Sequence, residues 1–176
     1  MNAPQAPAQL EPLLLEERSP EGVVRLTMNR PAQFNSLSEE MLAALQAAFN
    51  RIGADATARV IVIAAAGKAF CAGHDLKQMK ANPRQDYYEK LFADCARLML
   101  TILRVPQPVI ARIHGIATAA GCQLVATCDL AVAAEGTRFG VNGIDVGLFC
   151  SSPSVALARN VGRKQAFEML VTGEFI

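Results

Sequence analysis

The chain has 176 residues, of which 52% are apolar, so it can build a real core and is too apolar to be disordered over most of its length. Its formal net charge is +1 with no basic block, which argues against a nucleic-acid surface. Five cysteines without a CxxC pair, two distant histidines and no apolar run near the ~18–20 residues of a membrane helix argue against a disulfide scaffold, a metal site and a membrane span, and predict reduced thiols in the cytoplasm.

Residues 1–10 are small and polar, with Pro4 and Pro7. They predict a loose arm over 1–11, followed by a core domain over 12–176. Leu13–Arg18 and Val23–Met28 read as two strands joined by the turn residues Ser19–Gly22, hence a hairpin. Asn29–Leu37 reads as an irregular loop. Ser38 is the predicted N-cap of a helix whose Met41, Leu42, Leu45, Phe49 and Ile52 share one face. Ala58–Ala64 is the next strand, so strand, helix and strand alternate as in an α/β fold with parallel pairing. From Gln85 to Leu103, Tyr88, Leu91, Phe92, Cys95, Leu98, Met99 and Ile102 recur at helical spacing, and Pro106 and Pro108 end that helix. Val109–Ile113 predicts a strand, Ala119–Cys128 a helix and Asp129–Ala134 a strand. Val141–Gly147 reads as a loop. A short helix near Pro153 and a last one from Gln165 to Val171 complete the chain.

Two stretches carry candidate chemistry. Lys68–Leu76 follows the apolar run Val60–Ile63, and its small residues bring the backbone into a tight turn. Ala117–Gln123 is also rich in small residues and opens a helix. Turns of this kind leave backbone N–H groups unpaired and facing a cleft, where they can hold a negatively charged oxygen. Two such donors facing one point would form an oxyanion hole.

Phe70-Cys71-Ala72-Gly73-His74-Asp75-Leu76 resembles the first signature of the crotonase superfamily, the enoyl-CoA hydratase/isomerase family. Asn29-Arg30-Pro31 with Asn35-Ser36-Leu37 resembles its adenine-side loop. His114–Cys122 resembles its second signature, and Cys128-Asp129-Leu130 the strand that follows. The resemblance implies an α/β fold, a spiral of ββα units with the C-terminal helical region largely absent after Ile176. It implies a homotrimer or dimer of trimers that binds an acyl-CoA thioester, with no nucleic-acid or membrane partner. It implies lyase or isomerase chemistry in fatty-acid metabolism. No separate cofactor is expected, because coenzyme A is part of the substrate.

The oxyanion donors carried over are the N–H groups of His74 and Ala120. Leu37, Lys68, Ala72, Asp75, Leu76 and Gly121 fall at substrate-contacting positions. The two glutamates that manage protons in hydratases of this family fall at Gln123 and Gly143. Gln123 can orient a water but cannot take its proton, and Gly143 has no side chain. The resemblance therefore leaves two functions open: an enzyme with altered acid–base groups, or a non-catalytic acyl-CoA-binding protein.

Several nearby residues have two readings. The His74 imidazole is packed away while its N–H works, or it is a general acid or base. Asp145 turns inward or caps a loop. Cys150, Ser151 and Ser152 bind water or cap a helix. Cys71 and Cys122 read as buried thiols, His114 as a loop hydrogen-bonder and Asp75 as a helix cap. A chain ending at Ile176 predicts exposed apolar surface.

Overall fold

A computed structural model describes residues 11–176. Strands β1 (Leu14–Arg18) and β2 (Val23–Met28) form the expected antiparallel hairpin. Of the predicted arm, residues 1–10 lie outside the described residues. Glu11 accepts a hydrogen bond from the Asn29 side chain at 3.4 Å.

Helix α1 (Glu39–Gly53) starts at the predicted cap: the Ser38 hydroxyl accepts from the Met41 N–H at 3.2 Å. Its apolar face is buried as its spacing dictates, with Met41, Leu45, Phe49 and Ile52 fully enclosed. Strand β3 (Val60–Ala65) runs parallel to β2, with Val24 opposite Ile61 and Leu26 opposite Ile63. Strands β4 (Val109–Ile113) and β6 (Leu130–Ala133) extend the sheet in parallel, giving the order β1-β2-β3-β4-β6.

The second layer makes the fold a spiral. After β2 the chain forms a bridge at Leu37, and after β3 it forms bridges at Cys71 and His74. After β4 comes β5 (Ile116–Thr118), and after β6 comes β7 (Arg138–Gly140). Leu37 pairs with His74, Cys71 with Ala117 and β5 with β7, all in parallel. Each circuit thus lays one strand in the large sheet and one short segment beside it. A helical segment follows each time: α1, then α2 (Leu76–Ala81) with α3 (Gln85–Ile102), then α4 (Ala120–Thr127) and α5 (Ser151–Asn160). Helix α6 (Arg163–Thr172) comes last. The expected ββα spiral is therefore present.

Some local expectations are corrected. β5 and β7 are too short to show a period of their own and exist through pairing with each other. Asn142–Val146 is a 3-10 helix, and so is Pro31–Gln33, rather than plain loop. On α3, Tyr87 is buried where Tyr88 was expected. α6 begins two residues before the expected Gln165.

The main core joins the sheet to α1 and α3. A smaller cluster, including Cys122, Val141, Cys150, Leu157 and Met169, ties α4 to α5 and α6. Leu130, Val132, Phe167 and Ile176 are each more than half exposed, so the anticipated apolar surface exists. It borders an apolar groove of about 340 Å³ between β6, α4, α5 and α6, which His74 and Ala120 do not line.

Candidate functional site

The spiral brings the two small-residue turns into contact. The carbonyl of Cys71 accepts from the Thr118 N–H at 3.0 Å, and the carbonyl of Ile116 accepts from the N–H groups of Phe70 and Cys71. On the other side, the Leu37 N–H donates to the Gly73 carbonyl at 2.7 Å. The first turn is therefore stitched to both neighbouring circuits.

Most of its amides are already engaged. Ala72 donates to the Phe34 carbonyl and Asp75 to the Leu37 carbonyl, while the Gly73 amide lies beside the buried Cys71 sulfur. The His74 N–H has no hydrogen-bond partner among the described residues. The parallel bridge to Leu37 explains this: such a bridge uses the peptide groups on either side of His74 and turns its own N–H away.

The second donor is aimed by an uncommon backbone state. Ala119, the N-cap of α4, sits at φ 50° and ψ −122°. A non-glycine residue in that region stores conformational energy and is held there by its surroundings. Its N–H donates to the Gly140 carbonyl of β7 at 3.0 Å, and its carbonyl accepts from the Gln123 N–H at 3.0 Å. The next amide, Ala120, opens the helix and has no partner among the described residues.

Two glycines allow the approach. Gly73 has φ +85°, and a Cβ there would lie 2.9 Å from the Ala119 Cβ, 3.2 Å from the Thr118 carbonyl oxygen and 3.3 Å from the Ala120 nitrogen. A Cβ on Gly121 would lie 2.3 Å from the Cys71 carbonyl oxygen. The residue before His74 is thus packed directly on Ala120, so both unpaired amides sit at one seam.

The flanking residues fix this seam. As expected, Asp75 caps α2: its Oδ1 accepts from the N–H groups of Lys77 and Gln78. Its Oδ2 lies 3.7 Å from Arg30 and accepts from the Ser36 hydroxyl at 3.3 Å. His114 is the expected loop hydrogen-bonder, with its Nε2 donating to the Gly67 carbonyl at 2.7 Å. Leu37 is fully buried, Lys68 and Leu76 are exposed, and Ala72 is half-buried.

The His74 ring packs edge-on against Phe92 of α3, with centroids 5.1 Å apart. Its Nε2 is buried without a partner. Burial pulls the imidazole pKa down to about 4, so the ring is uncharged at neutral pH. That state removes the proton a general acid would need and leaves a weak base. It also makes a stability prediction. An unfolded imidazole binds its proton near pH 6.5, whereas the folded one resists until about pH 4. The unfolded state therefore holds more protons in this window, and stability should fall as pH drops through it, by up to roughly 3 kcal/mol. Urea titrations of the wild type and His74→Gln at pH 7 and pH 4 should show the larger acid loss in the wild type; equal losses would refute the assignment.

Gln123 and Gly143 stand at the positions where the resemblance put the two glutamates. Gln123 lies on α4, one turn after Ala120. It is only 7% exposed, and its Oε1 is buried without a partner. Gly143 is closed as well as bare: a Cβ there would lie 2.1 Å from the Leu148 carbonyl oxygen and 2.8 Å from the Cys150 sulfur. Its N–H donates to that sulfur at 3.3 Å. The peptide chain itself fills the space a side chain would need.

Asp145 is exposed and accepts from the Asn142 side chain at 3.4 Å. Asn142 accepts in turn from the Thr118 hydroxyl at 2.5 Å. Asp145 thus reaches the seam only through Asn142, a residue given no role from sequence because its link to the seam, Thr118, is distant in the chain. Neither serine caps α5, whose N-cap is Cys150 without a side-chain bond. Cys71 and Cys122 are buried, and burial pushes both thiols up to about 12, so they are inert packing groups at neutral pH. All five cysteines are free and buried. Among the described residues no group of three metal-ligating side chains assembles, and no helix is long and apolar enough to cross a membrane.

A ββα spiral whose successive turns meet at small-residue loops is the crotonase fold. The solved enoyl-CoA hydratase of Mycobacterium smegmatis superposes with a TM-score of 0.93 at 68% identity, covering 94% of this chain and 65% of that one. The human enoyl-CoA hydratase domain-containing protein 3 superposes with a TM-score of 0.89 at 44% identity, with 94% and 65% covered. The family description "Enoyl-CoA hydratase/isomerase" matches residues 18–176, and the chain belongs to that family. The mitochondrial protein 3 of the enoyl-CoA hydratase domain-containing group from Xenopus laevis is 50% identical over 153 residues, which are 87% of this chain and 52% of that protein. The chain thus spans about half the length of the curated vertebrate relatives it matches.

Proposed function

We propose that the chain binds acyl-CoA thioesters and stabilises negative charge on the thioester oxygen between the N–H groups of His74 and Ala120. The observation that carries this reading is the pair of partnerless amides packed together at the Gly73–Ala120 seam. A thioester carbonyl suits such a site, because two fixed donors favour charge on oxygen without solvent reorganisation. Leu37 and Gly121 hold the seam closed. The exposure of Lys68 suits contact with the anionic nucleotide end, and on this reading Ala72, Asp75 and Leu76 line the turn beside the thioester and adenine.

On this reading the chemistry is of the hydratase or isomerase kind, in fatty-acid or related acyl-CoA metabolism, with coenzyme A arriving on the substrate. The exposed apolar residues of β6 and α6 suit assembly into a homotrimer or a dimer of trimers. Five buried free thiols suit a reducing compartment, and we place the protein in the cytoplasm; the vertebrate relatives are named mitochondrial.

A second reading has its own observation. Gln123 and the closed Gly143 leave both family glutamate positions without a carboxylate, which favours a protein that binds acyl-CoA and does not hydrate it. Loss of the enoyl absorbance of crotonyl-CoA, measured with longer 2-enoyl-CoA esters alongside, distinguishes the two. Turnover establishes the enzyme. Binding without turnover establishes the second reading. Absence of binding by any thioester sinks both.

A further inference from the structure

We propose that Gln78 is a positioning residue for the seam: by bracketing α2 to the start of α1, it fixes the direction of the His74 N–H. The proposal rests on the thioester-binding reading above and names a residue outside the turn on which that site depends.

The need for a bracket follows from α2 itself. The helix begins two residues after His74, has six residues and buries none of them. Of its apolar side chains, Met79 packs partly against the main core. A helix this short does not hold together in water through its own hydrogen bonds. Its place therefore comes from bonds to its neighbours.

Gln78 supplies such bonds from both halves of its amide. Its Oε1 accepts from the Glu39 N–H at 3.0 Å, and its Nε2 donates to both carboxylate oxygens of Glu40, at 3.1 and 2.9 Å. Glu39 is the first residue of α1, so its N–H has no partner inside that helix. An N–H requires an oxygen and a carboxylate requires a donor, so these partners admit an amide and admit it one way round.

The bracket closes a longer zip between the two helix starts. The Leu37 N–H donates to the Gly73 carbonyl at 2.7 Å, and the Asp75 N–H donates to the Leu37 carbonyl at 3.4 Å. The Gly73 carbonyl and the His74 N–H belong to one trans peptide group and point opposite ways. Whatever holds Leu37 on that carbonyl therefore aims the His74 donor. Asp75, at the other end of the bridge, makes the longer bond, and Gln78 clamps the chain one helical turn beyond it. With the clamp released, α2 can lift from α1, and the peptide that carries the donor turns with it.

The test exchanges the two partners. Butyryl-CoA and free coenzyme A are titrated calorimetrically into the wild type, into Gln78→Glu, and into Gln78→Glu combined with Glu40→Gln. Free coenzyme A lacks the thioester carbonyl, so the ratio of the two affinities reads the amides that meet the oxygen. Gln78→Glu sets two carboxylates against each other and should lower the ratio by about tenfold. The double exchange again faces one amide with one carboxylate and should return the ratio to within about twofold of the wild type. In the free protein the His74 amide resonance should move in Gln78→Glu and return in the double exchange, while that of Ala120 stays in place. If Gln78→Glu does not fold, Gln78→Ala, which removes the bracket without adding charge, takes its place. A bracket that merely holds the fold together would lower the urea midpoint and leave the ratio and the His74 resonance at their wild-type values, which overturns the proposal. A folded double exchange with a low ratio overturns it too. A wild type that binds butyryl-CoA no tighter than coenzyme A instead removes the thioester reading, and the proposal with it.

Discussion

Replacing Gly73 with alanine should destroy the seam between the His74 and Ala120 amides. The substitution meets two obstacles at once. The backbone at φ +85° is costly for any residue with a Cβ, by about 1 kcal/mol. The added carbon would also lie 2.9 Å from the Ala119 Cβ and 3.3 Å from the Ala120 nitrogen. Ala119 cannot yield easily, because its N–H and carbonyl are both hydrogen-bonded. The turns must separate, and the two donors with them. Loss of one donor from such a hole costs about 3–4 kcal/mol of transition-state stabilisation, or 10²–10³ in rate. Gly136→Ala is the control: it has φ +75° and nothing within 4 Å, so it carries the backbone cost alone. Turnover, or thioester affinity if there is no turnover, should collapse in Gly73→Ala and stay unchanged in Gly136→Ala. A Gly73→Ala protein that binds thioesters like the wild type would contradict the seam.

The second large effect falls on stability. Gly121 is a helical residue, and helix propensity alone predicts that alanine there would stabilise the protein by about 1 kcal/mol. The packing predicts the opposite. An alanine methyl would sit 2.3 Å from the Cys71 carbonyl oxygen and 2.8 Å from its carbonyl carbon. These are backbone atoms pinned by the Thr118 N–H, so no side-chain rotation relieves the clash. Overpacking against a rigid neighbour costs about 1–3 kcal/mol, and the displaced Thr118–Cys71 hydrogen bond adds to it. Gly121→Ala should therefore lower the urea unfolding free energy by roughly 3 kcal/mol or yield insoluble protein. A stabilised variant would show that propensity outweighs the contact.

What the sequence disclosed was governed by local signals. The Ser19–Gly22 turn, the Ser38 and Asp75 caps and the face of α1 depend on neighbouring residues, and all are found where expected. The His74 and Ala120 positions were legible only through resemblance, since nothing local distinguishes one small residue from the next. Other features escaped for physical reasons. β5 and β7 have three residues each and owe their existence to pairing across 22 positions of chain. The left-handed backbone of Ala119 contradicts its residue type and is imposed by β7 through Gly140. The choice of Tyr87 over Tyr88 for burial depends on how α3 lies against α1, which helical spacing cannot resolve for adjacent tyrosines. Gly143 looked merely bare; its closure by Leu148 arises from a 3-10 helix that local composition does not announce.

The two amides proposed to hold the thioester oxygen can be observed directly. In ¹⁵N-labelled protein titrated with a non-reactive thioester such as butyryl-CoA, the His74 and Ala120 N–H protons should move downfield together as they gain a hydrogen bond. Free coenzyme A, which has no thioester carbonyl, should leave both unmoved while it perturbs residues near Lys68. Saturating thioester that shifts other amides and leaves His74 and Ala120 where they were would contradict the account.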